Sequence, residues 1–119
     1  MATILIVDPD PATRSLLELL CERLGHSVIG PREWVEGEEP DLLLLEPASR
    51  PGVRLARGVR RRFPDLPVLC VSIDNPSDEM RQLGAIGHLM KPFRRTQLER
   101  ALEQALIPTA EPVATRRTA

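Results

Sequence analysis

The sequence predicts an α/β protein: an open five-stranded parallel sheet with helices on both faces. Three observations carry the prediction. Short apolar runs recur along the chain, at TILIV (3–7), SVIG (27–30), DLLLL (41–45), PVLCVS (67–72) and GHLM (87–90). Their length suits strands, and their lack of polar alternation suits strands buried on both sides. Between several of them lie segments with helical spacing of apolar residues, and strands alternating with helices imply parallel crossovers.

Each element can be justified in turn. After the first run, apolar residues fall at 16, 17, 20, 21 and 24, with Asp10 as N-cap, Pro11 at the first helical position and Gly25 as the stop. The link PREWVEGEEP (31–40) between the second and third runs is too short for an ordinary crossover helix, so a shortened or missing second helix is expected. Val53, Leu55, Ala56, Val59 and Phe63 mark the next helix, weakened by Gly58 and ended by Pro64. A short helix is expected over 77–83. The last helix is expected to start at a capping box, Thr96-Gln97-Leu98-Glu99, and to bury Leu98, Ala101, Leu102, Ala105 and Leu106. Residues 108–119, PTAEPVATRRTA, show no apolar period and read as a disordered tail after a single domain over 1–107.

Composition narrows the function. The chain has 119 residues, 42% hydrophobic and 28% charged, the profile of one globular domain. Its formal charge of −1 supplies no field toward nucleic acid or anionic lipid, and neither partner is expected. Trp34, Phe63 and Phe93 are too few and scattered for a base-stacking platform. Cys21 and Cys70 sit within apolar runs and read as buried core thiols of a cytoplasmic protein. The arginines at 54, 57, 60 and 61 could form a basic stripe able to meet phosphates or an acidic protein, against the simpler reading of a solvated face.

Open α/β sheets bind ligands beyond the carboxyl ends of their strands. At that edge stand Asp8 after the first strand, Glu46 after the third, Ser72 at the end of the fourth and Lys91 after the fifth. Fifteen of the sixteen basic residues are arginine and Lys91 is the only lysine, which points to a need for a compact ammonium beside an acidic oxygen.

The ordered segments ILIVDPDPATR, PDLLLLEP, PVLCVS and LGAIGHLMKPF resemble the receiver domain of two-component response regulators over about residues 3–107. The resemblance implies a flavodoxin-like sheet in the order 2-1-3-4-5 and a signalling module of a phosphorelay that is not an enzyme. It places Asp8 at the first acidic position, Ser72 and Lys91 at the positions that contact a phosphoryl group, and His88 at the switch position usually held by an aromatic residue. Two departures strike the chemistry: Pro9 replaces a second acidic residue, and Glu46 replaces the phospho-accepting aspartate. The Mg²⁺ carboxylates reduce to Asp8 and Glu46, so Mg²⁺ is expected to bind weakly or not at all.

The expected function is that of a stand-alone, degenerate receiver that works by protein contact. Its partner would be a sensor kinase or downstream effector, or a second copy in a homodimer. The contact surface would be the family's fourth helix, fifth strand and fifth helix, with His88, Met90, Arg94, Arg95 and Arg100. Two alternatives are a working phospho-acceptor at Glu46 and a flavodoxin-like cofactor binder. The second is disfavoured by PDPAT (9–13), which offers no glycine to cradle a phosphate.

Overall fold

The computed structural model describes residues 1–35 and 37–107, so the expected tail at 108–119 lies outside the described residues. In chain order the elements are β1 (Thr3–Val7), α1 (Pro11–Arg23), β2 (Ser27–Ile29), β3 (Leu42–Leu45), α2 (Arg50–Arg62), β4 (Val68–Ser72), α3 (Asp78–Gln82), β5 (Ala85–Met90) and α4 (Arg95–Ala105). The five strands form one sheet in the order β2-β1-β3-β4-β5, and every neighbouring pair is parallel.

The continuous apolar runs follow from the two-sided burial. Successive side chains on a strand point to opposite faces. Ile4, Ile6, Leu42, Leu44, Leu69 and Val71 accordingly pack with Leu17 and Cys21 of α1 and Leu98 and Leu102 of α4. Leu5, Val7, Leu43, Leu45, Val68 and Cys70 pack on the other face with Val53, Ala56 and Val59 of α2 and with Met80. Burying each leucine of β3 contributes about 2 kcal/mol, and no position on that strand can be polar without cost to one face or the other.

Local signals set the element ends. Asp10 caps α1 through Thr13 N at 3.1 Å, with Pro11 opening the helix. Past its end Gly25 takes φ +93°, a conformation that strains any residue with a Cβ. Among the described residues no helix joins β2 to β3. A turn is fixed there by Glu33, whose Oε1 accepts from Gly30 N at 3.0 Å, and by Trp34, which packs against the α2 side of the core and donates Nε1–H to the Glu38 carbonyl at 2.9 Å.

Three boundaries differ from expectation. Helix α2 begins at Arg50 because Ser49 caps Gly52 N at 3.1 Å, one turn before the apolar spacing starts. Strand β5 begins at Ala85, two residues before the apolar run, because Val68 pairs with Ala85 across an irregular step in the register. The N-cap of α4 is Arg94, where Thr96 was expected. Gln97 does reach back as a capping box requires, its amide oxygen accepting from Arg94 N at 2.7 Å, but it stands three residues after Arg94 and only one after Thr96.

Candidate functional site

The sheet order brings the ends of β1, β3 and β5 to one edge, although 83 residues separate Asp8 from Lys91. Lys91 Nζ donates to Asp8 Oδ2 at 3.0 Å and to Glu46 Oε2 at 2.9 Å. Both acids are nearly out of water, at 5% and 7% exposure. Their remaining oxygens are also engaged: Asp8 Oδ1 accepts from Asp10 N and Glu46 Oε1 accepts from Ala48 N, each at 2.9 Å. The two carboxylates and the ammonium form a closed group with a net charge of −1.

Backbone bonds hold this group to the sheet. Glu46 N donates to the Val7 carbonyl, tying the end of β3 to β1, and Lys91 N donates to the Ser72 carbonyl at 2.8 Å, tying the end of β5 to β4. Ser72 is fully buried, and its Oγ accepts from Asp74 N at 3.1 Å. Of the four residues predicted at the edge, three therefore join by side chain. The Ser72 hydroxyl is turned to the loop after its own strand.

Electrostatics follow from the packing. Burial alone would lower the Lys91 pKa, but the hydrogen bonds it donates to Glu46 and Asp8, reinforced by their charges, outweigh it and raise the value above the ordinary one. Asp10 stands on the surface with its carboxyl held below the usual range, first by the Thr13 hydroxyl at 2.5 Å and then by the Thr13 backbone. That carboxylate is spent on capping α1. His88 lies half-buried on β5, its Nε2 3.0 Å from Met90 Sδ and its Nδ1 buried without a hydrogen-bond partner among the described residues. Sequence reasoning placed His88 but could not foresee the Met90 contact, which depends on the turn of two same-face side chains of one strand.

No protein-family model matches the chain. A curated relative, the positive alginate biosynthesis regulatory protein of Pseudomonas aeruginosa, is 33% identical over 118 residues, covering 88% of this chain and 47% of the relative. The chain thus spans about half the length of that relative or less of others. The crystal structure of a response regulator from Thermotoga maritima superposes with a TM-score of 0.72 at 24% identity, covering 87% of this chain and 96% of that one. The receiver domain of the sensor histidine kinase PA1611 from Pseudomonas aeruginosa, with magnesium coordinated in its active-site cleft, gives 0.75 at 22% identity, with 88% and 97% covered. The chain belongs to the receiver domains of response regulators.

Within this receiver the strand order matches the family's flavodoxin-like fold, and the missing helix lies between β2 and β3. Consequently the family's fourth and fifth helices are α3 and α4 here.

Proposed function

We propose that this receiver is degenerate: it signals by protein contact from a state fixed by Glu46 and Lys91, without ordinary aspartyl-type phosphorylation. The observation that carries this reading is the Lys91 ammonium seated 2.9 Å from Glu46 Oε2 and 3.0 Å from Asp8 Oδ2. Glu46 is one methylene longer than the aspartate of the family pattern. Its carboxylate already reaches the ammonium that a phosphoryl oxygen would otherwise meet. In-line attack tolerates only sub-ångström misplacement, so such a shift costs orders of magnitude in rate.

The residues at this edge do not fit Mg²⁺. Among the described residues no group of three or more acidic, histidine or cysteine side chains is placed to hold a metal ion. Pro9 offers no ligand, Asp10 is committed to its helix, and all four oxygens of Asp8 and Glu46 are occupied by donors. A hard cation needs several free oxygens. The Lys91 ammonium supplies the positive charge instead, and Mg²⁺ is at most weakly held.

Partner contact is assigned to the face of α3, β5 and α4, in a cytoplasmic setting. Ile86 is 56% exposed and Met90 40% exposed there, beside the exposed Arg94 and Arg100. That mixture of apolar and basic groups suits a kinase, an effector or a second copy. Among the described residues no helix is long and apolar enough to cross a membrane.

The test is incubation with acetyl phosphate and Mg²⁺ followed by intact-mass analysis. The native chain is expected to stay unmodified, and Pro9→Asp/Glu46→Asp to gain a labile phosphoryl adduct. A stoichiometric adduct on Glu46 of the native chain would overturn the reading.

A further inference from the structure

We infer that the groove between α2 and α3 is a second docking surface, and that its occupant is an extended acidic segment of a partner protein. Whether Glu46 accepts phosphate has no bearing on this surface, which α2 forms with Glu79 of α3. Helix α2 carries six arginines and no acidic residue, in a chain whose total charge is −1. Arg50, Arg54, Arg57 and Arg61 follow one another at intervals of four, three and four, so they share one face of the helix, and all four are exposed. Like charges at such spacings repel, each pair costing about 0.2–0.5 kcal/mol in an isolated helix.

The neighbouring arginines are settled elsewhere. Arg60, expected in the stripe, folds away to donate to the Leu66 carbonyl, and Arg62 stacks over Phe63 at 5.9 Å. Within the stripe, Arg57 meets Glu79 of α3 at 3.2 Å. Among the described residues Arg50, Arg54 and Arg61 enter no ion pair.

Arg50, Arg54 and Arg57 line a cleft of about 320 Å³ bordered by Pro47, Ala48 and Glu79, and a second cleft, sharing Arg57 with the first, is lined by Arg60, Arg61, Gln82 and Leu83. The two clefts follow α2 from beside Ala48, whose amide holds Glu46, to Arg61. A 13-residue helix is about 20 Å long, which about six residues of extended chain would span. Carboxylates on such a segment fit guanidinium forks bidentately. A nucleic acid fits less well: no aromatic side chain lines the cleft for stacking, and its far wall presents the Glu79 carboxylate.

Fluorescence anisotropy with a labelled peptide of about ten glutamates, at low salt where exposed charges are least screened, tests the surface. The native chain is expected to bind it. Arg54→Glu/Arg61→Glu should weaken binding by about tenfold or more, and Arg54→Gln/Arg61→Gln by less, with unchanged circular dichroism. Arg94→Glu/Arg100→Glu, on the α4 face, should leave binding intact. No binding by the native chain, or equal binding by the α2 variants, would overturn the inference. Tighter binding of a single-stranded oligonucleotide, lost in the same variants, would replace it with a nucleic-acid site.

Discussion

Lys91, the chain's one lysine, places its ammonium between two acids that have almost left water. Removing one partner of a buried charge group leaves the others uncompensated, which costs about 3–5 kcal/mol. Lys91→Met is therefore expected to lose about that much stability in urea unfolding at neutral pH. Glu46→Gln in the Lys91→Met background should recover part of it, because one of two facing carboxylates is gone. A Lys91→Met cost below about 1 kcal/mol would show that water already screens the group as at a surface. The residue-scale logic was partly legible in the sequence. A lone lysine among fifteen arginines, and two acids at strand ends, pointed to an ion group. That the ammonium would span both acids, while Ser72 turned to Asp74, depends on side-chain directions that no spacing encodes.

Among the elements, α2 is the one whose sequence conflicts with its structure, through Gly58 and through crowded arginines. A Cβ built on Gly58 meets nothing within 4 Å, and its backbone is ordinary helix. Gly58→Ala should stabilise the domain by about 0.5–1 kcal/mol, by reducing the freedom of the unfolded chain and favouring the helix. A thermal melt reads it directly, and a lower midpoint would mean that α2 needs the flexibility. Gly52 is the contrasting position: a Cβ there would stand 3.1 Å from Val7 Cγ1, so the same change should destabilise. Strands and long helices were legible because each has a two-sided or one-sided apolar period, and α1 also its Asp10 cap. Less legible were the first turn of α2 and the start of β5. Ser49 caps before the apolar spacing begins, and Ala85 joins its strand only through pairing with Val68. The missing helix was visible as a length deficit, but not that Trp34 would fill its place on the core.

For the whole molecule, the shifted groups set a pH window of stability. Burial, then the charge of the N-terminus, lowers the His26 pKa, and its Nδ1 accepts from Ala2 N at 3.1 Å, a bond only the neutral ring can make. A folded value below the unfolded 6.5 means this contribution is present above 6.5 and is lost as pH falls; Asp10, lowered from 3.8, follows in stronger acid. On the alkaline side burial pushes the Cys21 thiol up to about 12 and the Cys70 thiol up to about 11, from 9.0. Raised values contribute fully below 9.0 and are lost as pH climbs through the folded values, at up to about 1.4 kcal/mol per pKa unit. Lys91, raised from 10.5, adds its loss above that pH. No tyrosine is present to confuse this limb. The urea midpoint should therefore be flat between 6.5 and 9.0 and fall on both sides. Cys21→Ala/Cys70→Ala, though less stable through lost packing, should keep its midpoint level beyond 9.0 until Lys91 begins to titrate. A midpoint in that variant that still declines from 9.0 would assign the alkaline limb to groups other than the core thiols.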